Sequence, residues 1–298
     1  MKKVLRIIRF IYNHPLSSRH FIYATCRLIK WQIVQRLLPY PVLFPFVEKS
    51  KLLIEKGMTG ATGNIYTGLL EFEDMAFLLH ILKNNDLFVD VGANVGVYSV
   101  LASVNTESNV ISIEPIPSTF DKLKKNIFLN NATDRVQLVQ AGVASQNGEL
   151  IFTVDNDTVN HVINETEKNV PINTVKVPVY TLDEICKSKE PLLIKIDVEG
   201  FEWEVLNGAS AILQQQMLKA LIIELNGSGE RYGYSDANIH SYLVKYGFTP
   251  YRYYPFERRF EQLDAPDKHN NTIYIRDINW VMSRIGSARK FEVFKSFI

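Results

Sequence analysis

The sequence predicts a doubly wound α/β fold with a mostly parallel central sheet and a basic helical N-terminal extension. The chain has 298 residues, 46% hydrophobic and 22% charged, which is enough to bury a full-sized core and excludes a disordered chain. From residue 78 onward, short β-rich runs alternate with helical stretches. Two of these runs, 192–196 and 220–225, are mostly apolar, which is typical of parallel strands covered on both faces.

The order of the elements follows from this alternation. Strands are predicted at residues 87–91, 110–114, 136–139, 192–197 and 220–225. Helices are predicted at residues 98–104, 117–129 and 202–215. Because strands that alternate with helices are joined by crossover connections, the sheet is expected to be Rossmann-like.

The remaining segments are less regular. The long connection 148–180 contains strand-like pieces and predicts an inserted hairpin or a sheet edge. A helix at 237–246 is expected to end at Gly247, and segments 248–254 and 272–276 predict a closing antiparallel pair. We divide the chain into an N-terminal extension (1–60), a catalytic domain (61–280) and a basic C-terminal tail (281–298).

Charge is distributed unevenly along the chain. Residues 1–50 contain nine Lys or Arg against the single acid Glu48, a balance of +8 that leaves −7 for the rest of the chain. Mixed apolar and basic runs at 4–12 and 29–38 predict interfacial helices, and hence peripheral association with an anionic membrane through residues 1–50. A nucleic-acid partner, a packing extension with solvated charges and a mitochondrial transit peptide are the alternatives.

The two cysteines indicate the compartment. Cys26 and Cys186 are far apart in sequence and have no His or Cys at metal-ligand spacing, so neither a disulfide framework nor a zinc site is expected. No run is long and apolar enough for a membrane span, and the charged N-terminus does not read as a secretory signal. We therefore expect a cytoplasmic protein. Together with the basic residues 1–50, this predicts peripheral attachment at the inner face of the membrane.

A glycine-rich turn follows the first predicted strand of the sheet. Asp90 is followed by Gly92, Asn94 and Gly96, and the chain then enters a helix. Ligands of open α/β sheets bind beyond the carboxyl ends of strands, and glycines there let the backbone approach a ligand without a Cβ. The G-x-x-x-G spacing differs from the G-x-G-x-x-G fingerprint of dinucleotide sites, and a nearby carboxylate suits an ammonium or sulfonium group better than a pyrophosphate.

A second acid ends the next strand. Glu114 lies 22 positions after Gly92, where an acid conventionally accepts both ribose hydroxyls of an adenosine moiety, and Pro115 then breaks the strand. Together with the glycine turn, these residues resemble the S-adenosylmethionine pocket of class I methyltransferases. We assign Asp90, Gly92, Asn94, Gly96, Glu114, Pro115 and Gly142 to cofactor binding. A tight turn that binds nothing and a nicotinamide cofactor are the alternatives.

Five short motifs resemble the FkbM methyltransferase family. They are residues 88–96 (FVDVGANVG), 113–115 (IEP), 181–183 (TLD), 194–200 (IKIDVEG) with Glu202, and 222–224 (IIE). The resemblance spans about residues 60–276, and its most specific part is the segment 194–200. It implies methyl transfer to oxygen, frequently on a hydroxyl of a sugar or glycan or of a secondary metabolite.

Charged residues at the ends of the fourth and fifth strands are candidates for the acceptor site. Asp197, Glu199 and Glu224 are expected to form its acidic wall, because charges at the ends of apolar strands cost stability unless they are paired or used. His161 is the candidate general base, since an attacking hydroxyl must lose its proton. A structural ion pair of Lys195 with a neighbouring acid is the alternative, and a divalent metal on the acidic wall is chemically reasonable.

Two further expectations concern the segment next to the pocket and the alternative functions of the protein. The glycine-rich run 57–68 is interpreted as a segment that folds over the cofactor, with Tyr66 and Glu71 near the pocket, or as a simple connector. The alternative functions are a nicotinamide-dependent oxidoreductase and a nucleic-acid methyltransferase. Nucleic acid is disfavoured, because the catalytic part of the chain is acidic and carries no RNA-binding or base-flipping signature.

Overall fold

The computed structural model describes residues 2–154, 160–164, 167, 173–267 and 271–298. Its helices are α1 (Lys2–Asn13), α2 (Phe21–Leu37), α3 (Thr59–Thr67), α4 (Phe72–Ile81), α5 (Val97–Val100), α6 (Pro117–Leu129), α7 (Leu182–Ile185), α8 (Glu202–Asn207), α9 (Asp236–Lys245) and α10 (Ile278–Gly286). Its strands are β1 (Val42–Pro45), β2 (Lys51–Ile54), β3 (Leu87–Val91), β4 (Asn109–Ile113), β5 (Val136–Val139), β6 (Gly142–Val143), β7 (Gly148–Thr153), β8 (Thr174–Tyr180), β9 (Leu193–Ile196), β10 (Ala220–Ile223), β11 (Thr249–Tyr254), β12 (Arg259–Gln262), β13 (Thr272–Ile275), β14 (Glu292–Val293) and β15 (Ser296–Phe297). Shorter 3₁₀ turns lie at Ser17–His20, Ile212–Gln214 and Ser228–Tyr232, and a π-helical turn lies at Leu101–Asn105.

The central sheet has eight strands in the order β12, β11, β13, β10, β9, β3, β4, β5. The five strands from β10 to β5 are parallel, and β13, β11 and β12 extend the sheet in antiparallel pairing. The chain runs outward from β3 to β5 and returns on the other side of β3 with β9, so the strand order reverses between β3 and β9. The predicted doubly wound α/β fold is confirmed.

Most predicted elements are found close to their expected bounds. The helix predicted at 117–129 is α6, which begins with a proline whose missing N–H costs no helical hydrogen bond at that position. The connection 148–180 forms the predicted hairpin, because β7 and β8 pair in antiparallel fashion and belong with β6 to a separate three-stranded sheet. The closing pair is also confirmed, since Thr249 of β11 lies opposite Ile275 of β13.

The continuous helix predicted at 202–215 is wrong. The helix α8 ends at Asn207, and only a 3₁₀ turn at Ile212–Gln214 follows. Gly208 caps α8 and lies so close to the neighbouring backbone that an added Cβ would be 2.2 Å from the Ala144 carbonyl oxygen. The tertiary contact at this glycine therefore interrupts a pattern that locally favours a helix.

Alternation along the strands divides the core into two layers. Phe88 of β3 and Ile222 of β10 face a cluster on one side of the sheet, whereas Val89 and Ile223 face a cluster on the other. All four residues of β9 are buried. This double coverage explains why the sequence of the central strands is almost continuously apolar.

The N-terminal extension packs against the first of these layers. Ile11, Leu16, Leu28 and Trp31 are buried and belong to the same hydrophobic cluster as Phe88. Each such side chain contributes roughly 1.5–3 kcal/mol when fully buried. The C-terminal segment 281–298 also packs on this cluster, through α10 and the β14–β15 hairpin. Among the described residues, no helix has the combination of length and hydropathy that crossing a bilayer requires.

Candidate active site

A cavity of about 380 Å³ lies at the carboxyl ends of β3, β4, β9 and β10, beside the reversal in strand order. This volume lies within the range of small-molecule sites in proteins. The cavity brings together nine of the eleven predicted site residues: Asp90, Gly92, Asn94, Glu114, Pro115, Gly142, Asp197, Glu199 and Glu224. Gly96 and His161 are not among the described residues that line it.

Glu114 is held in a fixed orientation directly after β4. Its Oε2 accepts a hydrogen bond of 3.0 Å from the backbone N–H of Asn94, and its Oε1 accepts one of 3.0 Å from the N–H of Ile116. Burial raises the pKa of Glu114 to about 7, against the opposing effect of these two hydrogen bonds. Each carboxylate oxygen has lone pairs left over, so the side chain fits the two ribose hydroxyls of the predicted cofactor.

Asp90 lines the same cavity from the end of β3. Its Oδ2 accepts a hydrogen bond of 2.6 Å from the Ser99 hydroxyl, which lies 2.6 Å from the hydroxyl of Ser112. Burial raises the pKa of Asp90, while the Lys195 ammonium lowers it. The placement agrees with a role beside the cationic part of a methyl donor, and that role stays a prediction.

The two glycines of the turn have positive φ angles and close neighbours. Gly92 lines the cavity and has φ of +78°, and an added Cβ would lie 1.9 Å from the carbonyl oxygen of Asp197. Gly96 has φ of +88°, and its Cβ would lie 2.5 Å from Cδ1 of Leu123 in α6. Gly96 precedes α5 and is not among the described residues that line the cavity, so its assignment to cofactor binding stays a prediction.

Lys195 supplies the positive charge inside the site. It is only 3% exposed, and its Nζ donates a hydrogen bond of 2.6 Å to Oδ2 of Asp197. Burial by itself lowers the pKa of Lys195. The carboxylates around it, Asp197 first, raise this pKa by more than burial lowers it, so the ammonium stays charged. The ammonium also lies 4.9 Å from the centroid of the Tyr98 ring, and the Tyr98 hydroxyl donates 2.6 Å to Oε2 of Glu71.

Asp197, Glu199 and Glu224 form the predicted acidic wall, with ligand oxygens within 4.8 Å of one another. Burial raises the pKa of Glu224 to about 9, and the charges of Asp197 and Glu199 add to that rise. Burial likewise raises the pKa of Glu199 to about 7, with Asp197 the next cause. Oε2 of Glu224 is buried without a hydrogen-bond partner in the described part of the chain. These three side chains are the ones that could hold a hard divalent cation, or else share protons.

His161 does not line the cavity. Its neighbours Asn160 and Val162 line the cavity, whereas the His161 Nε2 lies 2.9 Å from Oε1 of Glu167. The backbone around it pairs with β7 through a bridge between Phe152 and Val162. The proposed role of His161 as general base stays a prediction.

The glycine-rich run 57–68 contributes more to the site than its sequence suggests. It contains the helix α3, from which Thr59, Gly60, Ala61 and Asn64 line the cavity. Glu71 also lines it, as expected, whereas the Tyr66 hydroxyl accepts a hydrogen bond from Gln32 instead.

Tyr98 was missed as a site residue. It lies two positions after Gly96, at the start of the helix that follows the glycine turn, and it lines the cavity. This position next to the glycine turn is the feature of the sequence that could have identified it.

Comparison with known proteins shows the family of the chain. The chain matches the family described as methyltransferase FkbM domain over residues 90–250, which is 161 of the 298 residues. It is 32% identical to the hexuronic acid methyltransferase AglP of Haloferax volcanii, covering 52% of this chain and 62% of that protein. It is 28% identical to methyltransferase sdnD of Sordaria araneosa, covering 46% of this chain and 65% of that protein. The chain thus spans less than two thirds of the length of these relatives.

Among solved structures, a precorrin-6y C5,15-methyltransferase from Geobacter metallireducens is 15% identical, with a TM-score of 0.39, 70% coverage of this chain and 87% of that chain. The family match includes the glycine turn, Glu114, the segment 194–200 and Glu224. It confirms the predicted S-adenosylmethionine cofactor and leaves the nicotinamide alternative without support. The chain belongs to the FkbM methyltransferase family.

Proposed function

We propose that the protein transfers a methyl group from S-adenosylmethionine to a hydroxyl oxygen of a sugar, a glycan or a similar small molecule. The observation that carries this proposal is the Lys195–Asp197 pair, which faces the same cavity as Glu114 and Asp90. A relative named as a hexuronic acid methyltransferase supports an acceptor with sugar hydroxyls. When bound, S-adenosylmethionine supplies an electrophilic methyl group.

Asp197 is the proposed proton acceptor. A hydroxyl is a weak nucleophile, so a base must take its proton as the oxygen attacks. Lys195 binds Oδ2 of Asp197, and Oδ1 is the oxygen that we propose accepts the proton of the acceptor hydroxyl. Glu224, whose pKa burial raises to about 9, holds a proton at neutral pH and can donate a hydrogen bond to a neighbouring oxygen. In this assignment Lys195 orients Asp197 and balances its charge.

The test compares Asp197→Asn with His161→Gln and with Asp121→Asn, an exposed acid on α6. Methyl transfer from radiolabelled S-adenosylmethionine to a panel of glycosides is measured beside S-adenosylhomocysteine affinity. We expect Asp197→Asn to lose roughly 10²–10⁴-fold in turnover with little change in affinity, as for loss of a general base. The controls should remain active. If His161→Gln loses turnover and Asp197→Asn does not, the base is His161 and the assignment fails.

We also propose that the N-terminal extension attaches the protein peripherally to an anionic membrane. One face of α2 packs on the core through Ala24, Leu28 and Trp31. The opposite face carries an exposed stripe at helical spacing: Ile22, Cys26, Ile29, Ile33 and Leu37. Ile22 is 80% exposed and Leu37 72%. A solvent-facing apolar stripe of this kind marks an interaction surface.

The charge around the stripe favours a membrane as the partner. Exposed basic residues accompany it on both helices, among them Arg6, Arg9, Lys30 and Arg36. A second copy of the chain would bring two positive surfaces together, and a nucleic acid would leave the isoleucines and leucine without apolar contacts. An anionic bilayer matches both the apolar and the basic side chains.

Vesicle flotation tests this attachment. The full chain is expected to float with vesicles of phosphatidylcholine and phosphatidylglycerol, less so at high salt, and not with phosphatidylcholine alone. Ile33→Glu should abolish flotation, whereas Val244→Glu, at an exposed apolar position on α9, should not. A wild-type chain that stays at the bottom of the gradient with both vesicle types would refute the proposal.

A further inference from the structure

A second cavity of about 400 Å³ adjoins the cofactor cavity. Four segments distant in sequence form its walls: the end of α1 with the following turn, the start of α4, the segment after β10 and the segment before β13. Phe10 and Asn13 come from the first of these, Phe72 and Glu73 from the second, Asn226 from the third and Asn271 from the fourth. We call this cavity the α1 groove.

The α1 groove meets the cofactor cavity at Leu70, Glu71 and Glu224, which line both. Glu71 forms part of the partition, because its Oε2 accepts the hydrogen bond from Tyr98 on the cofactor side and its Oε1 lies 3.4 Å from the Asn271 amide on the groove side. Glu224 belongs to the acidic wall where the proposed transfer occurs. A molecule in the groove would therefore lie beside this acidic wall.

The groove offers the contacts that a hydroxyl-rich ring requires. Phe10 of α1 is 40% exposed and presents an apolar ring surface, and Phe72 of α4 lines the same groove. Amide side chains of Asn13, Asn226 and Asn271 can donate and accept hydrogen bonds with hydroxyl groups. Sites that combine aromatic surface with convergent polar groups bind small molecules with a defined orientation.

Acidic side chains dominate the lining of the groove. Four carboxyl groups line it, those of Glu71, Glu73, Asp74 and Glu224, and none of its described lining residues is Lys or Arg. His14 also lines it, but burial lowers the pKa of His14 to about 4, so the imidazole is neutral. Burial raises the pKa of Asp74 well above its usual value, and the charges of Glu71 and Glu73 raise it further. A bound anion would meet these same charges of Glu71 and Glu73, with no described cationic side chain in the lining to balance it.

We propose that the α1 groove binds the methyl acceptor as a ring that carries several hydroxyl groups and no negative charge, such as a neutral or amino sugar. This inference rests on the proposed function and makes it more specific. It sets the chain apart from the relative named for hexuronic acid, since a uronic carboxylate in the groove would face four carboxyl groups. It also makes the N-terminal extension part of the acceptor site.

The test uses the full chain with S-adenosylhomocysteine bound and three matched methyl glycosides: glucoside, glucosaminide and glucuronide. Saturation-transfer NMR reports binding, and radiolabelled S-adenosylmethionine reports transfer. We expect binding of the glucoside or glucosaminide at least about tenfold tighter than that of the glucuronide, the change that 1.4 kcal/mol of repulsion produces. Preferred binding of the glucuronide, or binding of none of the three, would overturn the inference. Intact affinity for S-adenosylhomocysteine would then show that the methyl-donor site itself stands.

Two pairs of variants locate the binding. Glu73→Lys should reverse the preference toward the glucuronide. Glu190→Lys makes the same charge change at an exposed position before the amino end of β9, and it should not reverse the preference. Phe10→Ala should raise KM for the preferred glycoside about tenfold or more with a smaller change in kcat. Tyr12→Ala removes an exposed ring from the same helix and should leave KM unchanged. Equal effects within either pair would show that the acceptor binds elsewhere.

Discussion

The ribose contact assigned to Glu114 gives the sharpest test of the cofactor site. The substitution Glu114→Gln keeps the shape of the side chain but removes its charge and replaces one oxygen with an NH2 group. In the folded protein both oxygens already accept backbone N–H groups, from Asn94 and Ile116. The amide of glutamine can satisfy only one of these donors and is a weaker acceptor for the ribose hydroxyls.

The magnitude follows from the number of charged hydrogen bonds that are weakened. A hydrogen bond to a charged group contributes roughly 1.5–3 kcal/mol, and the amide recovers part of it, so we expect a net loss of about 1–3 kcal/mol. This corresponds to roughly 5–150-fold weaker binding of S-adenosylhomocysteine. Isothermal titration calorimetry measures the affinity, with Glu149→Gln on the exposed face of β7 as the control.

The pH dependence provides an independent signature of the same residue. Burial raises the pKa of Glu114 to about 7, so the carboxyl group is protonated below that pH and loses acceptor capacity. Wild-type affinity should therefore fall by up to about tenfold for each pH unit below 7 and level off above it. The difference between wild type and Glu114→Gln should shrink as the pH falls. Unchanged affinity in the variant, or a loss confined to turnover, would refute the ribose role.

Four further predictions concern stability and metal dependence. Gly96→Ala should lower the free energy of unfolding by about 1–3 kcal/mol in urea melts, because its Cβ meets Leu123, with unchanged S-adenosylhomocysteine affinity; the opposite pattern would restore a ligand-contact role. Lys195→Met should cost about 3–5 kcal/mol, since it leaves Asp197 unpaired, and an unchanged urea midpoint would contradict this. The free energy of unfolding of the ligand-free protein should fall as the pH rises from 4.5 to 7. The reason is that Glu114, with its raised pKa, holds a proton in the folded state that it releases when the chain unfolds; a free energy of unfolding that rises over this range would contradict the burial of that carboxyl group. Turnover should survive dialysis against EDTA, since Lys195 neutralises Asp197 and Glu224 holds a proton, and a loss restored by Mg²⁺ would show a metal on the acidic wall.

The parts of the fold that depend on local pattern could be predicted from the sequence. The strand β3 with its glycine turn and Glu114 after β4 were placed correctly, because short apolar runs that end in glycine or an acid have few other interpretations in an α/β chain. The acidic wall followed from the same reasoning, since charged residues at strand ends meet at one edge of a parallel sheet.

Features that depend on contacts between distant segments could not be predicted in this way. Gly208, where α8 ends, lies close to the backbone of Ala144, and Gly96 combines a left-handed φ of +88° with the approach of Leu123. His161 has the chemistry of a general base, but its imidazole lies against Glu167 and does not line the cavity. The α1 groove is lined by residues more than two hundred positions apart, so no local sequence pattern predicts it.

The two-sided character of α2 has a practical consequence for handling the protein. A basic, partly apolar N-terminus is a common choice for truncation to improve expression. In this protein, however, Leu28 and Trp31 belong to the hydrophobic core, and Phe10 lines one side of the α1 groove. A shortened chain would uncover that core and lose one wall of the groove. Surface substitutions on the outward stripe of α2 are therefore the better route to a well-behaved sample, because they leave the interior undisturbed.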